Sequence, residues 1–406
     1  MKNAPDSALL TSASADHRLI QRAFAMIDAT AEQVTQEQIT ICEIPAPPFG
    51  EQRRAAYFEQ RFRQLGLSAV HQDAAGNVIG VWPGVAERPI VVVSAHLDTV
   101  FAAEVDTRVE QRNGRLYAPG IGDNACGLAA LLALIHVMQQ SEMLVNGRVV
   151  FLATVGEEGE GNLRGVRHFF SHSLWAGRVD AFVSLDGHGV ERIVHQALGS
   201  RRYRVTFTGP GGHSWSDFGL VNPIHALSSA VRELVKYPLP QQPRTSLNVG
   251  RICGGQSVNA IPQSATMDVD ARSTSQDELE RIELFLHATV EAAAQQENQR
   301  CAGTGTCLQT MIERLGERPT GQTPVESHLV QAAVRATRAI GIEPTFECAS
   351  TDSNLPISLG IPAITLGAGG NGGQSHTLDE WYDPTDRELG IKRALLLLME
   401  LVGRQS

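Results

Sequence analysis

Two histidines and five carboxylates stand out because each follows an apolar run or lies in the loop beyond one: His96, Asp98, Asp123, Glu157, Glu158, Asp186 and His376. Imidazole nitrogens and carboxylate oxygens without a thiolate make a borderline-hard donor set, suited to zinc, cobalt or manganese. The set is larger than one tetrahedral ion takes. Five donors, one of them shared, would hold two ions about 3.5–4 Å apart, the spacing of two-metal hydrolytic sites. His96 and Asp98 stand two residues apart, so on a continuing strand they point the same way. That suits a ligating imidazole whose other ring N–H is held by a carboxylate.

The elements that must position these groups alternate. Ile90 to Val93 is an apolar run bounded by Pro89, the pattern of a strand covered on both faces. Asn77 to Trp82, Val149 to Val155, Ala181 to Leu185 and Ile361 to Leu366 read as further strands. Helices are expected over the first forty residues, over Arg53 to Leu65 with Gly66 as C-terminal stop, and over the almost wholly apolar Leu128 to Met138. Thr323-Pro324-Val325-Glu326 reads as a capping box for a helix ending at Gly341. This alternation implies an α/β domain with a mostly parallel sheet, and ligands bind beyond the carboxyl ends of such strands. Three successive strand ends carry His96 and Asp98, Glu157 and Glu158, and Asp186.

Between residues 198 and 318 the pattern changes. Strands at Arg201 to Thr208, Ser246 to Cys253, Ala265 to Arg272 and Leu308 to Leu315 enclose two helices, one capped by Asn222 with Pro223 following, one opened by the box Ser275-Gln276-Asp277-Glu278. The order β-α-β-β-α-β is that of a small α+β unit. The expected organisation is thus a catalytic domain in two parts, 1–197 and 319–406, interrupted by an inserted domain at 198–318.

Composition narrows the classes. The chain has 406 residues, 42% of them hydrophobic and 19% charged, which is globular and long enough for two cores. A net charge of −10 argues against a nucleic-acid partner, which would call for a basic face. No apolar run approaches the roughly 20 residues of a membrane span, and the polar opening lacks a signal peptide's apolar region; no membrane association and a cytoplasmic location are expected. The six cysteines show no C-x-x-C spacing, which disfavours a thiolate zinc site. Cys301 and Cys307 lie close enough to pair, although free thiols are expected in a reducing compartment. The glycines from 367 to 373 lack a following Lys-Ser/Thr and read as backbone freedom for placing His376 rather than a phosphate loop.

Several local motifs carry a family resemblance. They are Ser-Ala-His-Leu-Asp-Thr-Val at 94–100, Gly-Ile-Gly-Asp-Asn at 120–124, Gly-Glu-Glu-Gly at 156–159, Gly-Gly-His-Ser at 211–214, Asn259-Ala260-Ile261-Pro262, Asp270-Ala271-Arg272 and His376. Together they resemble the M20 metallopeptidases, which include peptidase T, carboxypeptidase G, dipeptidases, aminoacylase and acetylornithine deacetylase. The resemblance spans nearly the whole chain after the first forty residues. It implies a zinc-hydrolase catalytic domain with an inserted lid and dimerisation domain, hence a homodimer.

Carried over by position, the resemblance implies two divalent metal ions per subunit, with Zn2+ first and Co2+ or Mn2+ as substitutes. His96 and Asp186 would hold one ion, Glu158 and His376 the other, and Asp123 both. Asp98 would orient His96, Glu157 would be the general base, and His213 would stabilise the oxyanion of a neighbouring subunit's site. Asn259 and Arg272 would contact substrate, although Arg272 could equally pair with a nearby acid. Where the family often has a second aspartate and a lysine after the shared aspartate, this chain has Asn124, Ala125 and Cys126. The implied activity is hydrolysis of short peptides as a di- or tripeptidase or exopeptidase. Two alternatives stay open: an N-acyl-amino-acid deacylase, and an inactive metal-binding homologue.

Overall fold

The computed structural model describes residues 14–403. The chain divides into two compact units, Leu198–Gly321 and the residues on either side of it. The last strand of the inserted unit runs to Arg318, where it still pairs with Ser200.

In the flanking unit a nine-stranded sheet has the spatial order Ser68–Gln72, Val78–Trp82, Arg148–Thr154, Ile90–His96, Ala181–Leu185, Ala363–Leu366, Arg192–Ala197 and Gly321–Gln322, with Thr345–Ala349 beside Arg192–Ala197. Its centre is parallel. Ile90–His96 pairs in parallel with Arg148–Thr154 on one side and Ala181–Leu185 on the other, and Ala363–Leu366 continues in parallel. The flanks depart from the expected pattern: Val78–Trp82 and Arg192–Ala197 each run antiparallel to the central strand they meet. Four strands therefore end along one edge, and the loops leaving them carry the candidate ligands.

Side-chain alternation sorts this sheet into two cores. Val91, Val93, Ala95, Phe151, Val183 and Ile364 point into one, against the helices Ala125–Gln140, His328–Ala339 and Arg387–Val402. Ile90, Val92, Val150, Leu152, Phe182 and Ala363 point into the other, against Arg164–His172 and Asn354–Ser358. Fully burying a side chain such as Phe151 or Phe182 stabilises the fold by about 1.5–3 kcal/mol. The helix Ala125–Gln140 is apolar on all sides because helices Ser14–Ala29, Ala31–Cys42 and Arg387–Val402 all touch it. Of the expected N-terminal helical segment, residues 1–13 lie outside the described part. No helix among the described residues is long and apolar enough to cross a membrane.

Two capping expectations need correction. The helix after residue 323 begins at His328 and is capped by Ser327, whose side chain accepts from the Val330 N–H. Thr323 is engaged elsewhere: its hydroxyl donates to the Ala363 carbonyl at 2.6 Å and accepts from the Ala363 N–H at 3.0 Å. In the inserted unit Ser275 does cap the helix Gln276–Arg300, but Glu278 does not reach back; its carboxylate accepts from the Tyr237 hydroxyl at 2.8 Å.

The inserted unit is a four-stranded antiparallel sheet in the order Thr245–Gly254, Ser264–Ser273, Gly199–Thr208 and Gln309–Arg318. Helices Pro223–Leu234 and Gln276–Arg300 pack on it around Val205, Phe207, Leu227, Met267 and Leu286. The Asn222 side chain caps the first helix by accepting from the Ile224 N–H at 2.9 Å.

Candidate metal centre

His96 is the last residue of its strand, and its ring is 1% exposed. Its Nδ1 lies 3.0 Å from the Asp98 backbone carbonyl; with Nδ1–H donating there, Nε2 is the nitrogen turned to the carboxylates, donating to them when protonated and free to ligate a cation when not. Nε2 sits 3.1 Å from Asp123 Oδ1 and 3.6 Å from Asp186 Oδ1. Asp186 follows directly on the strand Ala181–Leu185, and its N–H donates to the Leu366 carbonyl.

Asp123 lies in the loop leading to the helix Ala125–Gln140, and its second oxygen faces a different imidazole, His376 Nε2, at 3.2 Å. The same nitrogen is 2.9 Å from Glu158 Oε1. Of three donor clusters among the described residues, one is His96/Glu157/Glu158, and the other two, His96/Asp123/Asp186 and Asp123/Glu158/His376, share one aspartate. The charges fit cations at both places. Burial pushes the Asp123 carboxyl up, yet His376 and His96 together hold it well below the usual carboxylate range. Burial lowers the His96 imidazole, but hydrogen bonds to Asp123, Asp186 and Asp98 hold it well above its ordinary value. His376 is pushed up to about 10 by Asp123 and Glu158. The protonated imidazoles balance negative charge that bound cations would balance instead.

Asp98 stands beside His96 and makes further contacts of its own. Its nearest oxygen is 3.7 Å from His96 Nδ1, whereas its two oxygens accept from the Glu157 N–H at 3.0 Å and the Glu158 N–H at 2.7 Å. It thus clamps the backbone that carries both glutamates. Its carboxyl is raised by burial, but His96 and the two N–H groups more than offset this and keep it ionised. Glu157 is buried, with a donor atom within 4.8 Å of those of His96 and Glu158.

His376 sits at the tip of a ribbon in which Asn371–Gly373 pairs with Trp381–Asp383, and its backbone is left-handed at φ 66°. Holding a histidine there costs about 1–3 kcal/mol, which bonds to Asp123 and Glu158 offset. Gly369, at φ 96°, shows why glycine precedes the ribbon: a Cβ there would lie 2.3 Å from the Arg387 carbonyl oxygen.

Some residues passed over in the sequence shape the centre. Arg54, fully buried, donates to the Ile44 carbonyl and, at 2.6 Å, to the Leu97 carbonyl between His96 and Asp98; burial lowers its guanidinium to about 10. No sequence signal marks it, since an arginine on an amphipathic helix reads as a surface residue. Thr154 donates to Asp352, a buried carboxyl pushed up to about 6 by that burial. Asn124, which stands where the family often has an aspartate, caps the helix by accepting from the Gly127 N–H and donates to the Leu185 carbonyl at 2.9 Å. His188 is partly buried, and its ring packs against the Gly372 backbone.

The centre therefore assembles His96, Asp98, Asp123, Glu157, Glu158, Asp186 and His376 in one unit. His213, Asn259 and Arg272 belong to the other. His213 lies on a short ribbon opposite Ala260, next to Asn259, whose backbone carbonyl accepts from the Ser214 N–H. Arg272 Nε donates to Asp270 Oδ2 at 2.8 Å on its own strand. Cys301 is buried with its Sγ 3.9 Å from Glu297 Oε1, and Cys307 is exposed.

Comparison with known proteins agrees with this geometry. The model of Peptidase family M20/M25/M40 matches residues 92–400. The uncharacterized protein YqjE of Bacillus subtilis (strain 168) is 25% identical over 383 residues, 90% of this chain and 93% of that one. A succinyl-diaminopimelate desuccinylase of Legionella pneumophila (strain Corby) is 25% identical over 295 residues, 65% of this chain and 77% of that one. Among solved structures, a tripeptidase from Staphylococcus aureus superposes with a TM-score of 0.76 at 21% identity, covering 92% of this chain and 99% of that one. The two-cluster donor set and the family match over most of the chain converge on one conclusion: the protein belongs to peptidase family M20/M25/M40 and is a hydrolase of that family.

Proposed function

We propose that the protein hydrolyses the amide bond of short peptides, as a di- or tripeptidase or exopeptidase, with two bound divalent cations and Glu157 as general base. The observation that carries this reading is Asp123, whose two oxygens face separate imidazoles at 3.1 and 3.2 Å. His96 and Asp186 would hold one cation, Glu158 and His376 the other, and Asp123 would serve both. Zinc suits these donors, and cobalt or manganese can replace it. When bound, the cations lower the pKa of water and polarise the scissile carbonyl. Glu157 takes a proton as the water oxygen bonds to the carbonyl carbon, then passes it to the amine nitrogen as the C–N bond breaks. Because Asp98 pins the Glu157 N–H, the base is held beside the ligand Glu158 without sharing its role.

His213 is assigned to the oxyanion, supplied by a second copy of the chain in a homodimer, with Asn259 and Arg272 as substrate contacts. Its Nδ1 accepts from the Trp215 N–H at 3.1 Å, which leaves Nε2–H as the ring's donor. Trp215 and Phe218 beside it are 86% and 84% exposed, and Val258 is fully exposed; such a cluster fits a surface covered in an assembly. His213→Ala should lower kcat by about 100-fold, as loss of an oxyanion donor does, with metal content unchanged. A strictly monomeric protein of full activity would contradict donation from a second copy. Buried Cys42 and Cys126, kept as thiols, fit a reducing, cytoplasmic compartment.

The desuccinylase relative favours a second reading, deacylation of N-acyl amino acids by the same base and ions. A hydrolysis panel of dipeptides, tripeptides and N-acyl amino acids with zinc, cobalt and manganese separates the two. Cleavage of free-amine peptides with little action on blocked ones supports the peptidase; the reverse overturns it in favour of the deacylase.

A further inference from the structure

Glu380 is a buried acid outside the donor clusters, and both its oxygens are spent on one loop. Oε2 accepts from the Gly120 N–H at 2.7 Å, and Oε1 accepts from the Gly122 N–H at 2.9 Å and the Asp123 N–H at 2.8 Å. The last of these is the peptide of the shared aspartate itself. The backbone carbonyl of Glu380 also accepts from the Ala118 N–H at 3.1 Å, so main chain and side chain grip the same loop. On the loop's other side Gln38 Nε2 donates to the Ile121 carbonyl at 2.7 Å, and Gln38 is itself held by Arg387.

Glu380 stands four residues after His376, just before the strand Trp381–Asp383 of the ribbon that carries this histidine. One side chain therefore links the loop of the shared aspartate to the loop of the half-exposed histidine. Those two loops are separated by more than two hundred and fifty residues of sequence and by the whole inserted unit. Three charge-assisted bonds from backbone N–H groups fix the position of an anion closely. With its oxygens occupied in this way, the carboxylate serves as a brace and not as a donor to a cation.

We propose that Glu380 is a positioning residue that sets the distance between Asp123 and His376, and thereby the affinity and placement of the cation these two share with Glu158. The proposal rests on the two-cation reading given above. It assigns Glu380 no contact with substrate and no proton transfer.

The test is cation binding to the metal-free protein, followed by calorimetry and elemental analysis with Zn2+ alone, for the unaltered chain, Glu380→Gln and Glu380→Asp. In Glu380→Gln an amide NH2 faces a backbone N–H in place of one acceptor. The second equivalent of zinc is expected to bind about 10- to 100-fold more weakly, as when an outer partner of a ligand is lost. The first equivalent should bind as before. At saturating zinc, kcat should stay reduced and KM little changed, because the shared carboxylate is misplaced rather than absent. A purely structural role would instead lower the melting temperature and the folded fraction, with both equivalents binding normally to what remains folded. A folded Glu380→Gln protein whose second equivalent binds as tightly as in the unaltered chain overturns the proposal. Should Glu380→Gln not fold, Glu380→Asp, which keeps the charge but withdraws it by one methylene, is read by the same criterion. If the unaltered chain binds fewer than two equivalents, the two-cation reading fails, an outcome distinct from failure of the brace.

Discussion

Replacing Glu157 by Gln is expected to cut hydrolysis by about 10²- to 10⁴-fold while two cations remain bound per chain. The exchange keeps volume and shape in a buried position, and the backbone bonds from residues 157 and 158 to Asp98 do not depend on the side chain. Only the ability to accept a proton is removed. General-base catalysis contributes about 10²- to 10⁴-fold, so kcat should fall by that much, with KM for a dipeptide changed far less. Steady-state kinetics paired with elemental analysis checks it. If the variant retains its turnover, the base lies elsewhere, and Glu158 would be the first residue to reconsider.

The second large effect concerns Asp123. Asp123→Ala removes the one group that both imidazoles face, and the cation held by Glu158 and His376 should then be lost first. Exposure sets that order: the His376 side chain is 51% exposed and that of His96 only 1%. Metal content is expected to fall to one equivalent or less, and activity to background. Treatment of the unaltered protein with a chelator should act in the same direction, with zinc restoring the rate. It should also lower thermal stability, because an ion present at a hundred times its dissociation constant stabilises the folded state by about 2.7 kcal/mol. A chelated sample that hydrolyses peptides at full rate would end the two-cation reading.

Much of the centre was legible because strands advertise their ends. Ile90 to Val93 has the pattern of a covered strand, and the carboxyl ends of covered parallel strands open toward a crevice, which placed His96 beside the other strand-end ligands. Asp186 and Glu157–Glu158 followed by the same reasoning. What was illegible depends on partners far away in sequence. Asp98 reads as a companion of His96 from its spacing and lies 3.7 Å from it, but its bonds to the N–H groups of residues some sixty positions on carry no local signal. Arg54 looked like a surface cation and is instead a buried donor to three backbone carbonyls. Thr323 had the right neighbours for a cap and was claimed by Ala363, so Ser327 took over that role. Hydrogen-bond competition of this kind is decided by tertiary structure, and local composition cannot rank the competitors.

The place of Ala363–Leu366 in the sheet has a consequence for biosynthesis. This strand lies between Ala181–Leu185 and Arg192–Ala197, yet the ribosome makes it last of the three, after the whole of Leu198–Gly321. Until it emerges, the nascent chain carries an apolar strand with an unpaired edge, the kind of template that invites association with other chains. The inserted unit has its own core and can fold during that interval. The flanking unit must wait for this late strand, whose synthesis also precedes that of His376. Under the two-cation reading, a nascent chain has no complete donor set until His376 has been made.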